Sequence, residues 1–301
     1  MHCSKLAVVA VACIAMVGAK SPPLAPLVVG PDQIVTATVG GQPVRLRMMA
    51  SGPRTLFLNP ALVARLSIKP GMFGGYGGVG PVKVRFNSAV IRYGVNTTET
   101  KRRVLWADRD FAPGVDGGIG PGGVAHPIVR FILREPSPRE VTFTLPLFGT
   151  SAGYGALETK MIINGEAIGI GFDLTRDATL ATAAAAAALS ATNGAQLSGE
   201  ARQEDIRMGV ARPVRTLSLQ APLLIGMLQL REISARVSDN SDGNAIADKD
   251  VDASEIVVTA KGAKSKPHYS ILIGREALAH CSSLTFDKLA KLIRLSCIPS
   301  R

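Results

Sequence analysis

Aromatic residues are scarce, making up 5% of the 301 residues, with one Trp and four Tyr. A nucleic-acid-binding surface needs a basic stripe interleaved with stacking rings. The net charge of +11 is instead scattered along the chain, which favours solubility and weak attraction to anionic surfaces. No nucleic-acid partner is expected. Histidines and cysteines number four each, with no C-x-x-C pair and no histidines at ligand spacing. That leaves no recognisable metal centre and no cofactor to expect.

Long apolar runs are missing too. "LAVVAVACIAMVGA" has 14 residues, too few to span a bilayer, and no later run is longer in the uninterrupted way a span requires. Preceded by basic "MHCSK" and ending in small residues, it reads as a signal peptide, residues 1–19, cleaved after Ala19. Export is therefore expected, to the periplasm in a Gram-negative cell, with no integral membrane segment after cleavage. Cys3 and Cys13 leave with the signal. Cys281 and Cys297 remain, and in an oxidising compartment two remaining cysteines pair most simply as a disulfide.

What is abundant is glycine (31), proline (19) and small apolar side chains. This composition suits many short strands and turns, so a mainly β fold is expected. The length is enough for two modest domains. The chain also repeats itself. "GQPVRLRMMASGPRTLFL" from Gly41 aligns without a gap on "GEAIGIGFDLTRDATLAT" from Gly165, an offset of 124. Val44 meets Ile168, Leu46 meets Ile170, Met48 meets Phe172 and Leu56 meets Leu180. Both copies alternate as a half-buried strand does, turn sharply and re-enter an apolar stretch. Short helices follow, "NPALVARLSI" and the alanine-rich "TAAAAAALSA". "GIGPGGVAH" (Gly118 to His126) then matches "LIGREALAH" (Leu272 to His280) at an offset of 154, so the second copy carries about 30 extra residues. Each match is followed by an expected strand, "REVTFTLPL" and "SSLTFDKLAKLIRLSC". The organisation read from this is an N-terminal linker 20–31, a first lobe 32–148, a linker 149–156, and a second lobe 157–298 with a flexible insertion 239–268.

This order of parts resembles the aspartic-protease family of retropepsins and two-lobed pepsins. In that family each lobe offers a strand ending in D-T-G, then a glycine-bearing flap, then an apolar-apolar-Gly turn that underpins the active-site loop. The resemblance implies a two-lobed, acid-protease-like β fold with short helices. It also implies a catalytic dyad of one aspartate per lobe, sharing a water and a proton because close like charges cannot both ionise. The D-T-G place falls on Met49, Ala50 and Ser51 in the first lobe and on Asp173, Leu174 and Thr175 in the second. Only Asp173 can ionise, and "RLRMMASGPR" holds no carboxylate. The resemblance thus implies a degenerate protein that binds a peptide or protein between its lobes. Its groove would be lined by Met49–Ser51, Asp173–Thr175 and Gly77, between flaps at Gly71 to Pro81 and Gly199 to Pro213. The alternative is a working endopeptidase in which Asp173 finds a second acid, with Asp177 and Asp116 as the nearest candidates.

Three other signals stand beside this one. "GTSAG" (Gly149 to Gly153) fits a nucleophile elbow at Ser151, but a strand-like segment follows it where a helix is required. "GYGGVG" (Gly75 to Gly80) follows a helix and runs into Pro81, so a hairpin is expected rather than a dinucleotide fingerprint. His126 and His280 occupy matching places and are expected to be structural. Within the insertion, "DASEIVVTA" (Asp252 to Ala260) resembles the TonB box of outer-membrane receptors. That resemblance implies a TonB partner bound by strand addition through Glu255, Ile256, Val257, Val258 and Thr259. The other reading of the same residues is an edge strand of the second lobe.

Overall fold

The computed structural model describes residues 24–79, 82–149, 155–237 and 267–299. The signal peptide, Ser151, the TonB-box-like stretch with Glu255 to Thr259, and nearly all of the insertion lie outside these residues. The expected mainly β architecture is borne out. The strands of the N-terminal part are β1 (Leu27–Val29), β2 (Ile34–Val39), β3 (Gln42–Met48), β4 (Leu56–Leu58), β5 (Gly74–Val79), β6 (Val82–Val95), β7 (Thr100–Trp106), β8 (Gly117–Ile119), β9 (Ile128–Ile132) and β10 (Val141–Pro146). Those of the C-terminal part are β11 (Phe148–Gly149), β12 (Leu157–Ile163), β13 (Glu166–Phe172), β14 (Leu180–Ala181), β15 (Gln196–Arg207), β16 (Val210–Ile225), β17 (Leu228–Arg236), β18 (Ser270–Ile273), β19 (Cys281–Asp287) and β20 (Leu292–Cys297). Helix α1 (Pro60–Arg65) follows β4, and α2 (Ala183–Asn193) follows β14.

Two sheets carry the same strand order. The N-terminal sheet runs β2-β3-β8-β4-β7-β6-β5, and the C-terminal sheet runs β12-β13-β18-β14-β17-β16-β15 with β11 added at its edge. The parallel pairs agree in register: Leu46 opposes Gly117 and Met48 opposes Ile119, while Ile170 opposes Ile271 and Phe172 opposes Ile273. These are the positions that the sequence repeat aligns. Alternation explains the strands locally: Val44, Leu46 and Met48 on β3 are buried, and Arg45 between them is exposed. In α2 the Thr182 hydroxyl accepts from the Ala185 N–H, and Gly194 closes the helix in the left-handed region at φ 60°. Its alanines are short enough to lie buried, with Leu189, against the C-terminal sheet.

A third sheet joins the two parts, in the order β1-β9-β19-β20-β10. "SSLTFDKLAKLIRLSC", read from sequence as one strand, is thus a hairpin of β19 and β20, turning where Lys291 adopts φ 55°. Strand β9 is an addition that the sequence reading lacked. Phe131 from β9 and Phe172 from β13 both meet Phe286 of β19 edge-on, at 6.0 and 6.5 Å, and all three rings are fully buried. The Cys281–Cys297 disulfide crosses this sheet between directly opposed residues. No helix among the described residues is long and apolar enough to cross a membrane.

Just past β19, Lys288 Nζ donates to the carbonyls of Pro121 and Val124, at 3.0 and 2.7 Å, and so ties the hairpin to the turn after β8. Burial, helped by the nearby Arg54 and Arg102 charges, pushes its pKa down from 10.5 to about 8. Between those two values the unfolded chain holds a proton that the folded chain has released, so stability should rise with pH through that window. Urea midpoints from pH 7.5 to 9.5 are expected to climb in the wild type relative to Lys288→Met. Parallel curves would show that the ammonium is not disfavoured in the fold.

Candidate functional site

The two strand ends that the repeat aligns lead into equivalent turns. The Met49 N–H donates to Ile119 O at 2.9 Å, and the Asp173 N–H donates to Ile273 O at 2.8 Å. Met49 and Asp173 therefore occupy matching backbone positions. Ala50 and Leu174, next in each turn, are buried. Each turn rests on a glycine. A Cβ on Gly120 would collide with Gly52 O, and one on Gly274 with Asp177 O. The Met49 turn also approaches the strand that leads into the Asp173 turn: Ser51 Cβ lies 3.8 Å from where a Cβ on Gly171, in β13, would stand. Gln33 links them, since its carbonyl accepts from the Met48 N–H at 2.8 Å and its Nε2 donates to Leu174 O at 2.9 Å.

The surroundings of the two equivalent residues differ completely. Met49 packs into an apolar cluster of Phe57, Val84, Phe86, Ala107, Phe111 and Ala112 from the N-terminal sheet and its loops. Phe57 stacks on Phe111 with centroids 4.4 Å apart and meets Phe86 edge-on at 5.5 Å. Asn59 fixes Phe111 in place. Its Oδ1 accepts from the Phe111 and Ala112 N–H groups, and its Nδ2 donates to the Ala112 and Val115 carbonyls. The cluster is completed from the other sheet, by Ile206, Met208 and Val210 at the turn of the β15–β16 hairpin. The expected flap at Gly199 to Pro213 thus reaches across to the Met49 side, so this part of the expected groove is filled with the protein's own side chains.

Asp173 is half-buried and held locally. Its Oδ1 accepts from the Thr175 N–H at 3.0 Å and from the Thr175 hydroxyl at 2.6 Å, while Oδ2 lies 3.8 Å from Arg176 Nε. Arg176 also pairs with Glu204 on β15 and donates to Asp205 O at 2.7 Å. A guanidinium therefore ties the Asp173 turn to the hairpin that covers Met49. The two carboxylates named as possible second acids are engaged elsewhere. Asp177 pairs with Arg275 at 2.5 Å, and Asp116 accepts from the Arg45 N–H and pairs with Arg65 at 2.9 Å.

The remaining sequence candidates fall as follows. Gly77 opposes Val84 in the β5–β6 hairpin. His126 is buried, with its ring nitrogens 2.8 Å from Ala25 O and 3.0 Å from Val95 O, whereas His280 is exposed and engages neighbours through its carbonyl. No group of metal-ligating side chains occurs among the described residues. Sequence reasoning missed Gln33, Asn59 and the Arg176–Glu204 pair. Only Gln33 left a sign, in the "GPDQ" turn, where it takes φ 58° without being glycine. No protein-family model matches the chain, and no curated protein matches it either.

Proposed function

We propose that this chain is an exported, two-lobed, aspartic-protease-like protein that has lost peptidase chemistry and binds a peptide or protein partner. The observation that carries the reading is the equivalence of Met49 and Asp173. One side of the would-be dyad is a half-buried thioether packed against the apolar cluster that holds Phe57, Phe86 and Phe111, and the other is a half-buried carboxylate occupied by Thr175 and Arg176. A thioether neither ionises nor activates water, so the shared-proton chemistry of a dyad has no second member. The repeated strand order and the glycine-supported turns favour the fold, and the disulfide favours an oxidising compartment.

Support for partner binding lies on the first hairpin. β5 ends the N-terminal sheet, so one of its edges is unpaired among the described residues. Met72, Phe73 and Tyr76 on and before it are well exposed. A glycine-rich edge strand beside exposed apolar side chains suits addition of an extended peptide.

One experiment reads both halves of the proposal. The mature protein is immobilised and incubated with a random peptide library from pH 3 to 7, and retained and cleaved peptides are identified by mass spectrometry. Retention without cleavage is expected, with retention lost in a Phe73→Ser/Tyr76→Ser variant. Cleavage by the wild type that vanishes in Asp173→Asn would instead establish an active endopeptidase.

A further inference from the structure

The two sheets end in equivalent hairpins, β5–β6 and β15–β16, but their outermost strands are built differently. β15 carries Glu200, Arg202, Glu204, Asp205 and Arg207, and its register shifts between Ser198 and Arg202. Charges and bulges are the ordinary means of keeping an edge strand from pairing with another chain. β5 has neither. It reads GGYGGV, without a charge, and runs in unbroken register from Gly74 opposite Asn87 to Val79 opposite Val82. Its outer edge is unpaired among the described residues. Gly75 has no local reason to be glycine: its φ lies outside the left-handed region, and a Cβ there would meet nothing within 4 Å. A bare backbone in a strand suits the close approach of another backbone.

The charge beside this edge has one sign. β5, β6 and β7 hold six cations, Lys83, Arg85, Arg92, Lys101, Arg102 and Arg103, and no carboxylate. The equivalent β15, β16 and β17 hold six arginines and four carboxylates, so the excess is local to the first hairpin. Two of the six cations stand one strand in from the edge. Arg85 is directly opposite Tyr76, and Lys83 is opposite Gly78, so Tyr76, Arg85 and Lys83 share a face. All three are exposed, and neither cation pairs with a carboxylate among the described residues. On the other face Arg103 donates to Ser88 Oγ at 2.8 Å and lies 4.9 Å over the exposed Phe73 ring. A second copy of the chain paired along this edge would bring Lys83 and Arg85 up to their own counterparts, and facing like charges are destabilising.

We infer that the β5 edge takes up an acidic peptide in extended form. Its backbone pairs with β5, carboxylates at alternate positions reach Arg85 and Lys83 beside Tyr76, and the residues between them lie on the Phe73 side. The inference rests on the partner-binding reading above and supplies the chemistry of that partner.

The test is calorimetry and amide hydrogen exchange on the mature chain with three capped octapeptides, in which valine alternates with glutamate, with threonine or with lysine. The glutamate peptide is expected to bind about tenfold more tightly than the threonine peptide, the gain that two exposed ion pairs supply. It should also slow exchange of the outward-facing β5 amides, and its advantage should shrink as salt is raised. The lysine peptide should bind weakest. In Lys83→Glu/Arg85→Glu the order should invert. Equal binding of the glutamate and threonine peptides would overturn the acidic partner while leaving the partner-binding reading in place. Binding of none of the three would overturn both. Binding of the glutamate peptide without protection of β5 would put the contact elsewhere and overturn the inference. So would a dimer of the free protein with its β5 amides already protected, which would assign the edge to a second copy. The wild-type comparison decides the matter even if the variant does not fold.

Discussion

Phe57→Ala is expected to destabilise the protein by about 3–5 kcal/mol, the range for removing a fully buried phenyl ring and leaving a cavity behind. The ring is 1% exposed and has aromatic neighbours on two sides, Phe111 stacked and Phe86 edge-on. Little around it can relax, because Phe111 is pinned by Asn59. Met208→Ala should cost about 2 kcal/mol or more by the same mechanism, although its side chain comes from the opposite sheet. Because both side chains belong to one cluster, the double variant should be non-additive by about 0.5–3 kcal/mol in urea unfolding. Strict additivity would mean that the β15–β16 hairpin does not rest on the Phe57 side in solution. A second readout is independent of global stability. With its apolar seat removed, the hairpin turn should be cut faster by trypsin after Arg207 than in the wild type, under conditions where the fold persists.

This packing marks the limit of what the sequence could tell. The pairing of Met49 with Asp173 was legible because it rests on a gap-free alignment of two strand ends, and alternation fixes strand register strongly wherever one face is buried. The glycine-bearing segments expected as flaps are the ends of two hairpins, β5–β6 and β15–β16. What those hairpins do was not legible. Whether Met208 lines an open groove or fills it depends on how two sheets sit against each other, and Phe57 lies about 150 residues away from it in the chain. No local pattern records such a contact. The same holds for Arg176, whose position three residues after Asp173 is visible in "DLTR" but whose partner Glu204 is chosen by the hairpin's path. The shared sheet was half legible. Its strands were seen as terminal strands of two separate lobes, but nothing in their apolar alternation says that β19 and β20 slot between β9 and β10.

That interleaving bears on the second large effect, the loss of the disulfide. Replacing Cys281 and Cys297 by alanine should cost about 3 kcal/mol, because the bridge closes a short loop and a loop of about 15 residues restricts the unfolded chain by that amount. The two cysteines are 16 residues apart and buried at 1% and 3% exposure, so reductant should act only after unfolding. The wild type unfolded and refolded in reductant should then match the double alanine variant. How the variant unfolds is as informative as how much stability it loses. Strands from both parts alternate in the sheet that the disulfide crosses: β9 pairs with β19, and β20 pairs with β10. Neither part can leave without stripping hydrogen bonds from the other, so a single urea transition is expected, with a slope no shallower than that of the wild type because the unbridged unfolded chain is less compact. Two separated transitions would show that each sheet with its helix holds its own core, and that the shared sheet is only a seam. A single transition displaced by about 3 kcal/mol would instead make the cross-strand bridge a constraint on the whole molecule, one that an exported chain acquires on oxidation and would lack in a reducing cytosol.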